Sequence, residues 1–234
     1  MRLPEFVERI MVSQINLQNP PSKVGRPRKF ETAYVVDRIL KVLRTGMQWR
    51  ELEVKIGSWK TVYNLFNKYV NLKIFETCYT KILTYYSNKR HTKYCATDTT
   101  FVKSIFGVDL IGPNPTDRAR NASKISVIVD DIGVPFAAVP FRANQNDCTL
   151  LEATFANIIV NIRNDAQTLD FFGDKGYDSR RCNAFVRAQG FNSRIKKRGT
   201  FSQGGENKRR IVENTFSWLD LYRRLILRYD KNIQ

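Results

Sequence analysis

Apolar residues recur in two rhythms along this chain, and the change between them falls near Thr92. Residues 1–22 are polar, are broken by Asn19-Pro20-Pro21, and read as a loosely attached leader with one short helix. From Glu31 onward, Val35, Val36, Ile39, Leu40 and Leu43 share one helical face. Gly46 is placed as a stop, so the spacing predicts a helix over about 31–45. Ser58 is placed to cap a second helix, marked by Val62, Leu65, Phe66 and Val70, and a third is expected over about 74–86. Beyond Thr92 the period shortens. KYCATDTTFVKS reads as a strand, and KISVIVDDIGVPFAAVPFR as a hairpin about Asp-Asp-Ile-Gly. A helix over about 150–162, a strand TLDFFGD, a helix SRRCNAFVRAQG, a strand FNSRIKK and one long amphipathic helix over about 208–227 complete the series. The order βββ-α-β-α-β-α predicts an α/β layer architecture with a mixed sheet, preceded by a small all-α region.

Charge adds a partner to this outline. The chain has 39 Lys and Arg against 22 Asp and Glu, a net +17 with a pI near 9.9, which points to a polyanion. Residues 1–90 hold 17 basic and 7 acidic side chains, and residues 192–231 hold 11 and 4, so two basic regions flank a nearly neutral middle. VGRPRKF, with Arg26, Arg28 and Lys29, has the Gly-Arg-Pro core of an arm that lies in a minor groove; a solvated linker is the alternative. The capped second helix would expose Lys60, Asn64 and Lys68, which suits a helix-turn-helix-like module on duplex DNA or an ordinary three-helix bundle. No run approaches the roughly 18 apolar residues of a membrane span, and the first 20 residues lack the pattern of a secretory signal, so an intracellular protein is expected. Cys78, Cys95, Cys148 and Cys182 are far apart and His91 is the only histidine, which argues against zinc or a disulfide framework.

Three acids stand out by position. Asp98 lies within the first strand, Asp174 ends the fourth and Glu213 lies on the last helix, so strand ends and a packed helix can bring them to one edge of a sheet. A carboxylate in an apolar strand is costly unless paired or bound to a cation. Taken one by one these acids also read as structural, with Asp98 capping a turn, Asp174 a strand-end acid and Glu213 pairing with Arg209 or Arg210; together, without histidine or cysteine, three carboxylates are hard oxygen ligands suited to magnesium or manganese. Two such ions about 3.5–4 Å apart serve phosphodiester chemistry. Asp178, the second acid of FFGDKGYDS, reads instead as the N-cap of the next helix.

The blocks ATDTTFVK, SKISVIVDDIGVPFAAVPFRANQND, FFGDKGYDS and RRIVENTFSWLDLYRRLILRYDKN, in that order, resemble the signatures of DDE transposases of the insertion-sequence-five type, within the insertion-sequence-four-like superfamily. GRPRKF, LRTGMQWREL and SWKTVYNLFNKYV are similar to the amino-terminal region of that group, and the resemblance covers about residues 24–232. It implies an RNase H-like core in which Asp98, Asp174 and Glu213 hold two Mg2+ or Mn2+ ions, cut DNA at the ends of a mobile element and join the 3′-hydroxyls to a target. It implies a homo-oligomer on double-stranded DNA, with no membrane and no small-molecule cofactor, in the nucleoid or the nucleus according to host. It places Lys124, as a DNA contact, and the Asn146-Asp147 turn near the site, and makes Arg209 a contact to the DNA backbone. Arg210, Arg223, Arg224 and Arg228 are further phosphate candidates. The expected division is a flexible leader over 1–23, a helical DNA-binding domain over 24–90 and a catalytic domain over 91–234. Two positions depart from the family pattern: Glu206 stands where a tyrosine is common, seven residues before the triad glutamate, and Asp220 where a lysine is common, seven after.

Overall fold

The computed structural model describes residues 3–21, 25, 27–160, 162, 168–197, 199 and 206–230. Two compact units are present, Met1–Tyr86 with Tyr222–Arg224, and Ser87–Leu221 with Leu225–Ile233.

The first unit is helical, with α1 (Glu5–Gln18), α2 (Thr32–Thr45), α3 (Trp59–Asn71) and most of α4 (Ile74–Lys89). The apolar faces seen in the sequence meet in one core of Ile15, Val35, Ile39, Val42, Val62 and Ile74. Gly46 ends α2 in the left-handed region at φ 68°, its N–H donating to the carbonyl of Val42. The Ser58 hydroxyl accepts from the Lys60 N–H at 3.3 Å and caps α3. One expectation fails here: residues 5–18 are no loose leader. Val7, Ile10, Met11 and Ile15 form a helical stripe against the core, and the buried Gln14 within it is partnered by Lys81.

In the second unit the sheet comprises β1 (Tyr94–Ser104), β2 (Gly112–Pro113), β3 (Asn121–Asp130), β4 (Pro135–Arg142), β5 (Asp170–Gly173), β6 (Asn192–Ile195) and β7 (Leu227–Arg228). Its longer strands run β4-β3-β1-β5-β6, antiparallel through β4, β3 and β1 and parallel from β1 to β6. A three-strand meander extended by two crossover strands is the RNase H-like sheet. The Asp130 carboxylate closes the predicted hairpin by accepting from the N–H groups of Ile132 and Val134 at 3.0 and 2.8 Å.

Helices cover both faces. α5 (Asp147–Ala156) and α6 (Arg180–Ala188) lie on one, where Phe155, Phe171 and Phe191 pack tilted and edge-on. α7 (Glu206–Leu219) lies on the other, with Val212 packed against Ala96, Val127 and Val129. The helix expected over 208–227 therefore stops eight residues early. Leu221 and Tyr222 are exposed, so the apolar stripe is interrupted, and a short α8 (Arg223–Ile226) leads into β7 beside β1. Arg228, a candidate for a phosphate contact by sequence, is instead buried there: its guanidinium binds Asp109 and donates to the Ser123 hydroxyl at 3.1 Å.

Candidate active site

β1 and β5 pair only from Tyr94–Ala96 to Asp170–Phe172, so Asp174, two residues past Phe172, stands level with Asp98. Asp174 follows the last residue of β5 and opens a one-turn helix, Lys175–Tyr177, which the fully buried Tyr177 anchors. Strand alternation puts Asp98 on the same face as Ala96, the face that α7 covers. On α7, Arg209 and Glu213 are one turn apart and share a side. Arg209 binds both acids: one terminal nitrogen donates to Asp174 and the other to Glu213 Oε1 at 2.9 Å.

Asp98 is held differently. Burial pushes its carboxyl up to about 6, and repulsion from Asp174 and Asp147 adds to the rise; the Thr99 N–H, donating to Oδ1 at 2.8 Å, and the charge of Arg209 oppose it. The fourth acid, Asp147, begins α5 on the opposite face of the sheet. Its Oδ1 accepts from Lys124 Nζ at 2.8 Å and from the Thr99 hydroxyl at 3.1 Å, so it is tied to the residue next to Asp98. Sequence pattern did not single out this contact, because it joins a helix cap to two strands.

The donor set suits a hard divalent cation. Asp98, Asp174 and Glu213 offer oxygen only, and Asp98 is largely withdrawn from water. Among the described residues, no three His, Cys, Asp or Glu side chains lie in an arrangement ready to hold a metal ion.

Comparison with known proteins gives two family matches. Residues 9–79 match the family described as "Putative transposase of IS4/5 family", and residues 96–233 match the "Transposase DDE domain". The chain belongs to the DDE transposase family. A curated member, "Putative transposase for insertion sequence element IS402" from Burkholderia cepacia, is 39% identical over 125 residues, 51% of this chain and 59% of that protein. The alignment with that relative thus spans less than two thirds of its length. A crystal structure of the catalytic domain of Mos1 mariner transposase aligns over 63% of this chain and 88% of its own, at 8% identity and a TM-score of 0.33. The Mos1 strand transfer complex aligns over 90% and 69%, at 11% identity and a TM-score of 0.38. At such scores neither adds to the topology above.

Within this DDE-family chain, the remaining sequence-derived residues divide by environment. Lys60, Lys68 and Arg210 are exposed on their helices, as are Lys29 and Arg28, although Arg28 also donates to the Asn19 carbonyl. Arg223 is exposed, while Arg224 is half-buried with its guanidinium 5.9 Å from the centre of the Trp49 ring. Arg26 lies outside the described residues. Lys124 departs from its expected role as a DNA contact: it is 5% exposed, and its ammonium is spent on Asp147 and on the Gln145 carbonyl at 2.8 Å. Asp178 is not the cap of α6, because the Ser179 hydroxyl accepts from Cys182 N–H at 3.0 Å in that position. Asp220 is exposed just past α7, and Glu206 is that helix's first residue. The four cysteines are free thiols, three of them buried. No helix among the described residues is long and apolar enough to cross a membrane.

Proposed function

We propose that this chain is a metal-dependent DNA transposase that cuts at the ends of a mobile element and transfers the 3′-hydroxyls to target DNA. The observation that carries the reading is Asp98 within β1 level with Asp174 just past the end of the parallel β5, with Arg209 and Glu213 of α7 beside them. Asp98, Asp174 and Glu213 would hold the ions. When bound, two divalent ions supply activation of the attacking oxygen and stabilisation of the leaving one. Thr99 orients Asp98 through its N–H, and Asp147 holds Thr99 from the other face.

The net charge of +17 supports a DNA partner, which Arg28, Lys29, Lys60, Lys68 and Arg210 would grip through phosphates. In this reading residues 24–90 bind the terminal repeats and 91–234 carry out the chemistry, as a homo-oligomer on the DNA, in the nucleoid or the nucleus according to host. A second reading, a remnant that binds DNA without cutting, is favoured by Glu206 and Asp220, which add negative charge where the family commonly has tyrosine and lysine.

A labelled terminal repeat, taken from the DNA flanking the coding region, separates the two in the presence of Mg2+ or Mn2+. Nicking and joining that Asp98→Asn and Glu213→Gln abolish, with binding retained, support the transposase. Binding with no nicking by the wild type supports the remnant, and nicking without joining reduces the protein to a nuclease.

A further inference from the structure

We infer that Arg209 is an internal counter-cation that competes with divalent ions for Asp174 and Glu213, so that metal and DNA reinforce each other's binding through this side chain. This rests on the metal-dependent reading above.

The argument begins with what Arg209 touches. Its side chain is 22% exposed, and its two terminal nitrogens are shared between acids from different elements, Asp174 after β5 and Glu213 on α7. Charge-assisted contacts of this kind are among the stronger hydrogen bonds in proteins. A guanidinium keeps its charge at any working pH, so it cannot yield these oxygens by losing a proton; it has to move. A dication that takes the same two carboxylates meets both the loss of those bonds and repulsion from the displaced charge.

The released guanidinium needs another anion. Arg209 lies on a helix beside the exposed Arg210, and a DNA phosphate offers the planar, two-oxygen partner that arginine matches best. DNA that draws Arg209 away frees Asp174 and Glu213 for metal, and metal that displaces Arg209 makes it available to DNA. The two affinities must then rise by the same factor, because coupling free energy is reciprocal.

Calorimetric titration with Ca2+, a probe ion, tests this on the full chain with and without a short blunt DNA duplex. The wild type is expected to bind Ca2+ on the order of tenfold more tightly when DNA is present, within the usual range of coupling. Arg209→Gln is expected to bind Ca2+ without DNA about as tightly as the wild type does with it, and to show little further gain. Arg209→Lys, which keeps the charge, should retain most of the coupling. A residue that only braces the site would weaken Ca2+ binding when replaced. An unchanged or weakened Ca2+ affinity in a folded Arg209→Gln therefore overturns the inference, and so does a wild type whose Ca2+ affinity ignores DNA, a result that stands even if the variant fails to fold. Metal-dependent nicking distinguishes the two levels: nicking without coupling sinks this inference alone, whereas neither nicking nor Ca2+ binding sinks the functional reading with it.

Discussion

Replacing Lys124 with methionine tests whether this lysine serves the fold or the DNA. The stem stays and the charge goes, so little cavity forms. Two contacts of 2.8 Å are lost, to Asp147 and to the Gln145 carbonyl, from a side chain 6% exposed. Removing one partner of a buried ion pair costs about 3–5 kcal/mol. Asp147 is 28% exposed and keeps the Thr99 hydroxyl, so water and that bond recover part of the loss. The expected cost is about 2–3 kcal/mol, read from the midpoint of urea unfolding at unchanged slope. Adding Asp147→Asn should restore about 1–2 kcal/mol, a coupling typical of touching residues. In the same proteins the salt dependence of DNA binding should match the wild type, whereas a lysine that contacts phosphate would lower the slope by about one. Wild-type stability in Lys124→Met, or a shallower salt slope without loss of stability, would refute the reasoning.

Two further outcomes follow from the same unit. Phe171, fully buried against Phe155 and Phe191, should cost about 3–5 kcal/mol on replacement by alanine, measured by urea unfolding; a cost under about 1 kcal/mol would mean that this aromatic layer is not packed as described. Burial raises the Asp131 carboxyl, but the Arg90 guanidinium at 2.7 Å and the Lys93 N–H at 3.0 Å outweigh it and hold the pKa below its ordinary 3.8. A depressed acid stabilises the fold above its unfolded pKa and loses that contribution as pH falls through the folded one. Asp131→Asn should therefore be less stable than the wild type near neutral pH, with the gap closing in acid; a gap constant with pH counts against the pairing.

Elements with a strong period were readable from the residues. α2, α3, α6 and the β3–β4 hairpin follow their apolar rhythm; Asp98 lies within β1 as expected, and Asp174 falls one residue past the end of β5. What escaped was decided by contacts distant in sequence. Gln14 sits inside the buried stripe of α1, which hides that helix's packing against the core, and its partner Lys81 is 67 residues away. The burial of Arg228 in β7 rests on its contact with Asp109, 119 residues earlier, which nothing local in the sequence announces. Lys124 reads as one more basic residue until Asp147 is seen to cover it. Asp178 and Ser179 are both good caps, and the serine takes the position by accepting from the Cys182 N–H.

The docking of α7 across β1 and β3 has a consequence for the newly made protein. A chain that emerges amino terminus first exposes Asp98, then Asp174, and only later the helix that brings Arg209 and Glu213. Domains fold largely as units during synthesis. Strands β1 and β5 can pair while the nascent chain is still tethered, yet the acid set stays incomplete until nearly the whole second unit has emerged. In the transposase reading proposed above, competence to cut would therefore come only once α7 has emerged and docked.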